Sequence, residues 1–479
     1  MGSRVRVLAV THVRPAETSN PPPHDAIKLS LFDTLFLPLT PIQRLFFYDG
    51  DDLPPFPDML LTLKSSLAAT LAVFTPLAGR VAVTSSSSGD DVAIDCSDGA
   101  VSRGVRFVEV EYAGTAADVR RLARAAEHDA EAYAQLAPAI EVGALPAPAL
   151  AVQVTKPATA AADGAVVGAV VVGVTMNHVV ADGQAFWEFI RAWAAAAARG
   201  GDSTEIVAPP TFDRAAINRH PKAEEASREF LRALAPALPK VNTFPKPDNA
   251  LQRRRTYLLS ASQIRSLKHR ISLHINGANA SASTVPAAAA VNPPTSTYAA
   301  VASLVWASAV RAKNALTDAT ADAYLMFAAD CRARLRPPLP AAFFGNCAKS
   351  CYARATVGEL RDGSSGGESS LAHAAASVRE AVREQLADPT GDADRWMERH
   401  GALPWDRTVQ VGASNRFAAY ETDFGWGAPS RVELASVFAR EFMAVVGAPE
   451  GAVQVSVALD RDRIDGFEDS FMSLLQGSS

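Results

Sequence analysis

A chain of 479 residues, 48% of them hydrophobic, is long enough to bury large cores, and at about 100–200 residues per domain it predicts two domains. This composition excludes a wholly disordered protein. A net charge of -5 and a pI of about 6.0 provide no overall basic field, so we expect no nucleic-acid partner.

The number of cysteines and the length of apolar runs indicate the cell compartment that we expect for this protein. The cysteines are few, namely Cys96, Cys331, Cys347 and Cys351, and only the last two lie close together. We expect reduced, buried thiols and no metal site, because a structural zinc site needs a second pair. Residues 4–13 resemble a strand more than a signal peptide, and no stretch reaches the ~18 consecutive apolar residues of a membrane span. The sequence therefore predicts a cytoplasmic protein without a membrane partner.

The first predicted elements are two extended segments and a helix. Residues 4–10 alternate like a strand, and residues 28–33, which follow three prolines, are typical of an edge element. The helix is indicated by apolar residues at helical spacing. They are Leu60, Leu63, Leu67, Leu71 and Phe74.

A buried strand and a helix flank His178. Residues 165–175 are rich in valine and predict a fully buried strand that ends just before this histidine. A helix is expected from Gly183 onward. Its apolar stripe consists of Phe186, Phe189, Ile190 and Trp193. Because a rigid strand end holds a side chain with little positional freedom, His178 has a position suited to catalysis.

The second half of the chain repeats this mixed pattern. Residues 255–259 predict a strand, residues 263–271 a helix after the capping Ser260, residues 298–310 a helix and residues 324–330 a strand. The fold class is therefore α/β.

A long connection separates the two halves. Residues 206–246 are rich in proline and charge and are expected to form a crossover linker between an N-terminal domain, 1–205, and a C-terminal domain, 247–479. Runs of small and polar residues predict loops. These runs are 85–91, 276–296 and 363–370.

Several short motifs occur in a fixed order. Two lie far apart, His178-Val-Val-Ala-Asp182-Gly183 and Asp423-Phe-Gly-Trp-Gly427. The others are Leu31-Phe-Asp33, Leu45-Phe-Phe-Tyr48, Pro76-Leu-Ala-Gly-Arg80, Asp330-Cys-Arg-Ala-Arg-Leu335 and Phe344-Gly-Asn-Cys347. From about residue 5 to about residue 475, this set resembles the plant BAHD family of CoA-dependent acyltransferases. The segments 45–48 and 344–347 are most similar to anthocyanin and phenolic-glucoside acyltransferases, many of which use malonyl-CoA.

The resemblance implies a fold and a chemistry. The expected fold has two chloramphenicol-acetyltransferase-like domains, each a mixed β-sheet with helices, and an active site in a channel between them. Moving an acyl group from a thioester to a hydroxyl needs positioning, a base and donors for the oxyanion. A neutral imidazole can take the hydroxyl proton and return it to the departing thiolate. His178 matches the family's catalytic histidine, although a lone histidine at a strand end is more often a hydrogen-bonded structural residue.

Asp182 lies four residues after His178 and invites a charge-relay reading. The resemblance implies instead that it turns away and pairs with an arginine, with Arg332 or Arg334 as the partner, and that Gly183 supports the same loop. Zinc binding is disfavoured because further ligands at suitable spacing are missing. A covalent intermediate also lacks an evident nucleophile, since neither a nucleophile elbow on a strand-to-helix turn nor an activated cysteine is apparent.

The later motifs are expected to support the site. Gly425 and Gly427 permit a tight turn and Trp426 can anchor it, so Asp423 is expected to be structural, with a role as a second acid as the alternative. By resemblance, residues 414–417 line the acceptor side of the channel. The candidate substrate-binding residues are Ser414, Asn415, Arg416 and Asn346. Arg416 offers a bidentate contact for a malonyl carboxylate, unless it is an ordinary surface residue.

The sequence thus predicts a monomeric acyl-CoA-dependent O-acyltransferase. It has no permanently bound cofactor, takes acyl-CoA as co-substrate and acts on a phenolic or flavonoid glucoside, with malonyl-CoA as the first choice of donor. One alternative is a hydroxycinnamoyl donor such as coumaroyl-CoA, with a flavonoid glycoside, an alcohol or an amine as acceptor. A different class of alternative is a family member that binds ligand without turnover.

Overall fold

A computed structural model describes residues 2–17, 25–86, 89–158, 168–200, 209–219, 222–282, 294–435, 437 and 439–477. The chain divides into two compact units, and each is made of three segments. Unit 1 consists of Met1–Lys246, Leu335–Ala348 and Ala418–Phe438. Unit 2 consists of Pro247–Arg334, Lys349–Phe417 and Ala439–Ser479.

Strands and helices are interspersed along the described residues. In chain order the strands are β1 (Val5–Val13), β2 (Ala26–Lys28), β3 (Ile42–Asp49), β4 (Arg80–Ser86), β5 (Gly89–Asp95), β6 (Val105–Tyr112), β7 (Ala147–Pro148), β8 (Leu150–Pro157), β9 (Ala169–Met176), β10 (Gln252–Leu259), β11 (Asp322–Asp330), β12 (Ala348–Thr356), β13 (Thr408–Ser414), β14 (Arg431–Leu434), β15 (Phe442–Gly447) and β16 (Val453–Asp460). The helices are α1 (Leu31–Thr34), α2 (Phe56–Val73), α3 (Asp98–Val101), α4 (Ala116–Arg124), α5 (Ala130–Leu136), α6 (Gly183–Ala198), α7 (Ala215–Asn218), α8 (Ala223–Leu234), α9 (Ala261–Ala282), α10 (Thr297–Arg311), α11 (Val357–Arg361), α12 (Glu368–Gln385), α13 (Trp396–Gly401) and α14 (Ile464–Gln476). This confirms the predicted mixed α/β class.

The main sheet of unit 1 has the strand order β1-β6-β8-β9-β3-β14. Its pairings are antiparallel except for the parallel pair β6 and β8. Phe46 and Phe47 of β3 show how both faces are covered, because Phe46 packs edge-on against Trp187 of α6 and Phe47 packs against Tyr133 of α5. Every residue of β9 is consequently buried, as a continuous apolar run predicts.

Unit 1 is completed by residues from the second half of the chain. β14 pairs with β3, with Val432 opposite Phe46, because the main chain of β3 would otherwise be an unpaired edge. The units therefore differ from the contiguous division into 1–205, 206–246 and 247–479. Residues 206–246 belong to unit 1, and the segment that contains Asp423 also lies there rather than with the C-terminal part of the chain.

The sheet of unit 2 has the order β10-β16-β15-β13-β11-β12. β13 pairs in parallel with both β11 and β15, whereas β16 pairs antiparallel with β10 and β15. Helices α9 and α14 are tied together by Arg270, whose guanidinium donates to the carbonyl groups of Leu474 and Leu475 at 2.9 and 2.8 Å. Tyr257 of β10 packs against Phe471 of α14.

Four local predictions from the sequence need correction. The 28–33 segment is not extended throughout, because Ser30 and Asp33 form a capping box that starts α1. Residues 85–86 and 89–91 are not loop but paired ends of β4 and β5, and residues 87–88 lie outside the described residues. α9 continues to Ala282 as an extension of the helix that begins at Ala261, and 283–293 lie outside the described residues. In the 363–370 segment, α12 already begins at Glu368.

Candidate active site

His178 lies two residues beyond the end of β9, in a turn fixed by main-chain and side-chain bonds. The N–H of Asn177 donates to the carbonyl of Ala149 at 2.8 Å, and the Asn177 side chain accepts from the N–H of Val179 at 3.1 Å. The N–H of Val180 donates to the carbonyl of Asn177 at 3.0 Å. His178 therefore lies just after a buried strand, as the sequence predicts.

The imidazole of His178 is held in an apolar environment. Phe36 stacks on it with ring centroids 4.3 Å apart, and Nδ1 is buried with no hydrogen-bond partner among the described residues. Burial is the main cause that lowers the pKa of His178 from 6.5 to about 4. The Asp182 carboxylate opposes this by raising the pKa, and the charge of Arg44 lowers it by a smaller amount. The imidazole is therefore neutral at physiological pH and has a lone pair available for a proton.

Asp182 is used as a structural acceptor. One carboxylate oxygen caps α6 by accepting from the N–H of Ala185 at 3.0 Å, and the other accepts from the N–H of Cys347 at 3.0 Å. Gly183 is the first residue of α6. Asp182 thus ties the helix that follows the histidine to the 344–347 motif.

The predicted pairing of Asp182 with Arg332 or Arg334 stays a prediction. Both arginines belong to unit 2, where they form a short 3₁₀ turn. Arg332 is buried, and one of its guanidinium nitrogens donates to Asp330 at 2.9 Å.

Asn346 supports the histidine turn from behind. It is completely buried, and its side-chain NH₂ donates to the carbonyl groups of His178 at 3.0 Å and Val179 at 2.8 Å. The same amide also donates to Asp33 at 3.0 Å. These bonds fix the main chain around the imidazole. Asn346 therefore acts on the site indirectly, by holding the turn that contains His178.

Asp33 and Arg214 were not singled out from the sequence as functional residues. Asp33 is completely buried and accepts from both the main chain and the side chain of Asn346, while its other oxygen lies 3.2 Å from Nε of Arg214. Arg214 in turn donates to the carbonyl groups of Phe212 and Phe344. The sequence signal for Asp33 is the Leu31-Phe-Asp33 motif, because an acidic residue that is buried within an apolar run needs a hydrogen-bonding or charged partner.

Gly345 is required by the close approach of Arg214. A Cβ atom at this position would lie 2.6 Å from a guanidinium nitrogen of Arg214, and the main chain has a φ of +153°. Glycine in the 344–347 motif therefore has a steric cause.

The segment 423–427 forms a turn around one carboxylate oxygen. Oδ1 of Asp423 accepts from the N–H groups of Gly425, Trp426 and Gly427 at 2.7, 2.9 and 2.9 Å. Both glycines have positive φ, at 95° and 88°.

Aromatic contacts anchor this turn within unit 1. Phe424 packs against Trp193 of α6 at 4.8 Å between ring centroids, and Trp426 packs edge-on against Tyr48 of β3 at 5.4 Å. The Tyr48 hydroxyl donates to the carbonyl of Thr422 at 2.7 Å. The turn is thereby fixed to α6, which follows the histidine, and to β3, which pairs with the strand that precedes the histidine.

Ser414, Asn415 and Arg416 follow β13 in unit 2. Ser414 is the last residue of β13, where its hydroxyl accepts from the N–H of Arg416 at 3.2 Å. The preceding Ala413 has a φ of +62°, which a residue with a side chain rarely adopts. Arg416 is exposed.

The cysteines are buried and free of disulfides, as predicted. Burial raises the pKa of Cys331 and of Cys351 to about 12. Both thiols therefore remain protonated near neutral pH and are poor nucleophiles. Within the described ranges, histidine, cysteine and acidic side chains do not gather in groups of three or more that would suit a metal ion. No helix among the described elements has both the length and the apolar character that crossing a membrane requires.

Comparisons with known proteins identify the family of this chain. A family model described as "Transferase family" matches residues 4–474. The malonyl-coenzyme:anthocyanin 5-O-glucoside-6'''-O-malonyltransferase of Salvia splendens is 25% identical over 510 aligned residues, which cover 100% of this chain and 97% of its own. Agmatine coumaroyltransferase of Arabidopsis thaliana is 24% identical over 98% of each chain.

The fold has a counterpart among solved structures. The crystal structure of vinorine synthase matches with a TM-score of 0.71 at 20% identity, over 98% of both chains. A family model that covers nearly the whole sequence, together with a shared fold, settles the family. The chain belongs to the Transferase family, the BAHD acyltransferases, and is an acyl-CoA-dependent acyltransferase.

Proposed function

We propose that this enzyme transfers a malonyl group from malonyl-CoA to a hydroxyl of a phenolic or flavonoid glucoside. The observation that carries the acyl-transfer chemistry is the neutral imidazole of His178 at a rigid strand end, with a pKa of about 4. The choice of donor and acceptor is supported by the likeness to the Salvia splendens anthocyanin malonyltransferase and by the 344–347 motif.

The proposed reaction is a direct attack with both substrates bound. His178 accepts the proton of the acceptor hydroxyl while the hydroxyl oxygen forms a bond to the thioester carbonyl carbon. The tetrahedral intermediate collapses as the C–S bond breaks, and the imidazolium returns its proton to the thiolate. The products are the ester and free CoA. Acyl-CoA is a co-substrate, so the cycle calls for no permanently bound cofactor.

The remaining residues are proposed to position the reactants. Asp182, Gly183, Arg332 and Arg334 shape the loop that follows the histidine, and the 423–427 turn supports it from β3 and α6. Asp423 has a structural role in this scheme, because its Oδ1 already accepts three main-chain N–H groups. Residues 414–416 line the acceptor side of the active site, and the enzyme acts as a cytoplasmic monomer.

One alternative has a different donor. The likeness to agmatine coumaroyltransferase supports a hydroxycinnamoyl donor such as coumaroyl-CoA, with a flavonoid glycoside, an alcohol or an amine as acceptor. The alternative of a ligand-binding protein without turnover is disfavoured, because loss of the base would be the simplest route to it and His178 is intact.

The proposal is tested with purified protein and a mixed pool of donors and acceptors. Malonyl-, acetyl- and coumaroyl-CoA are supplied with flavonoid and simple phenolic glucosides, and the products are identified by mass spectrometry. A malonyl ester as the main product is expected. A coumaroyl ester would replace the malonyl donor by a hydroxycinnamoyl donor. Absence of any acyl product from a folded protein that binds CoA would contradict the proposed function.

A further inference from the structure

Arg44 is a buried cation with almost no partners. It lies in the apolar strand β3, where only 9% of its surface is exposed. Its Nη1 donates to the carbonyl of Gln43 at 3.3 Å, Nε has no hydrogen-bond partner, and it forms no ion pair with a described residue. The sequence signal is the single basic residue inside the run Ile42–Asp49.

The acid that stabilises the Arg44 charge from a distance is already engaged. Glu433 of β14 accepts from Nε of Arg431 at 2.8 Å and lies 3.3 Å from Nε2 of His128. Burial lowers the pKa of Arg44 to about 10, so the guanidinium is still charged at neutral pH. A buried charge without a counter-ion is costly, and a ligand that supplies the missing partner would account for it.

The position of Arg44 in the sheet relates it to the catalytic histidine. Arg44 is paired with Val174 of β9, and residues paired across strands share one face of a sheet. Phe46, on the same face, contacts Trp187, so this is the face that α6 covers. β9 ends at Met176, and the chain passes through His178 into α6. The positive charge of Arg44 is near enough to lower the pKa of His178.

A malonyl thioester carries a negative charge close to its reacting carbon. Its free carboxylate is separated from the thioester carbonyl carbon by two C–C bonds, about 2.5 Å across. A carboxylate so close to the reacting carbon must be bound beside the group that activates the acceptor hydroxyl. A guanidinium matches a carboxylate in geometry and can donate two parallel hydrogen bonds to it.

We propose that Arg44 binds the free carboxylate of the acyl group and thereby selects a malonyl donor over neutral donors. This inference rests on the proposed acyl transfer at His178 and names the residue that determines its donor. It assigns to Arg44 the contact that sequence reasoning predicted for Arg416. Arg416 is exposed, and an exposed guanidinium is hydrated and contributes less to binding than a buried one.

The test compares donor selectivity in matched variants. For wild type, Arg44→Met, Arg44→Lys and Arg416→Met, kcat/KM is measured with malonyl-CoA and with acetyl-CoA against one neutral glucoside. Arg44→Met is expected to lower the malonyl-to-acetyl ratio about 10- to 100-fold, the range for a charge-assisted hydrogen bond. Arg44→Lys should lower it less, because lysine keeps the charge but not the two-pronged geometry. Arg383→Met, a change at an exposed position of α12, serves as the surface control.

Thermal unfolding separates loss of the contact from loss of the fold. Methionine fills a similar volume without a charge, and replacing a buried charge by an apolar side chain is often neutral for stability. An Arg44→Met protein that melts near the wild-type temperature with an unchanged donor ratio overturns the inference. An equal loss with both donors also overturns it, since carboxylate recognition acts on one donor only.

The wild-type protein distinguishes failure of this inference from failure of the proposed function. Turnover of acetyl-CoA or coumaroyl-CoA without turnover of malonyl-CoA would refute carboxylate selection by Arg44 and leave His178-assisted acyl transfer intact. Absence of turnover with every donor would contradict the proposed function itself. A ratio that changes in Arg416→Met but not in Arg44→Met would return the carboxylate contact to Arg416.

Discussion

At the scale of single residues, the apolar surroundings of His178 decide its chemistry. Burial disfavours the imidazolium form in the free enzyme, which is why the pKa of His178 falls to about 4. A base with so low a pKa is available at every physiological pH. In the proposed mechanism, the imidazole holds the proton of the acceptor hydroxyl only transiently before it passes the proton to the departing thiolate.

The pH dependence of activity follows from this pKa. Protonation of His178 removes the base, so kcat/KM should fall as the pH drops through about 4 and should have no histidine limb near the ordinary value of about 6.5. The measurement uses acetyl-CoA as donor, because its acyl group has no ionisable carboxylate. An activity that halves near the ordinary histidine pKa would show that the imidazole is more solvated than the structure implies.

The same shift predicts a pH-dependent stability. Between the unfolded-state pKa of about 6.5 and the folded-state pKa of about 4, the unfolded chain binds the proton and the folded chain does not. His178 therefore lowers the free energy of unfolding as the pH falls through this window. Denaturant titrations at about pH 7 and about pH 5 should show a larger loss for wild type than for His178→Gln. Equal losses would argue against the depressed pKa.

At the scale of elements, a buried polar network joins α1 to the turn that contains the histidine. Asp33 holds both Arg214 and Asn346, and Asn346 holds the carbonyl groups of His178 and Val179. Asp33→Asn leaves the guanidinium of Arg214 buried without its counter-charge. The expected loss of unfolding free energy is about 3–5 kcal/mol, measured by urea unfolding.

Asp52→Asn is the matched control for that change, because Asp52 is exposed in the turn after β3. A surface substitution of this kind should stay within about 0.5 kcal/mol of wild type. If Asp33→Asn were as mild as Asp52→Asn, the network would have no structural importance.

The turn at 423–427 gives a second prediction at this scale. Asp423→Ala removes the acceptor of three N–H groups, and we expect a loss of about 1–3 kcal/mol in stability. The folded fraction should keep its kcat within about tenfold, since the carboxylate is proposed to be structural, whereas loss of an acid in proton transfer costs about 10²–10⁴. A fully folded Asp423→Ala protein with a kcat reduced to that extent would assign Asp423 to catalysis.

Long apolar elements were predictable from the sequence and short polar ones were not. The valines of β9 indicate a strand, and the spacing of Leu63 and Leu67 in α2 indicates a helix. In each case only one periodicity buries the apolar side chains. The start of α1 depends instead on one reciprocal pair of hydrogen bonds between Ser30 and Asp33. Likewise, the position of His178 follows from the strand that precedes it. The hydrogen bonds of Asn346 depend instead on which sequence-distant segment lies beside it, and a local pattern does not reveal that.

At the scale of the whole molecule, unit 1 depends on residues far along the chain. β14 covers the edge of β3, and the 344–347 segment supplies the N–H groups that Asp33 and Asp182 accept. Local patterns favour a contiguous domain, because a sequence window cannot reveal that residues 431–434 pair with a strand near the N-terminus. The unpaired edge of β3 offers main-chain hydrogen bonds to a strand from any part of the chain, so this pairing depends on long-range contacts.

The discontinuity predicts the behaviour of a fragment. Residues 1–246 alone lack β14 and leave the buried carboxylates of Asp33 and Asp182 short of donors, so we expect no cooperative thermal transition. Circular dichroism of this fragment, next to the full chain, is the measurement. A fragment that melts as sharply as the full chain would mean that the later segments are dispensable for unit 1.

The most direct test of the central claim is the release of CoA from malonyl-CoA by wild type and by His178→Ala in the presence of a phenolic glucoside. The account predicts that wild type releases CoA together with a malonyl ester and that His178→Ala, folded to the same melting temperature, is slower by about 10²–10⁴. A folded His178→Ala protein that forms ester at the wild-type rate would contradict the claim that this imidazole is the base.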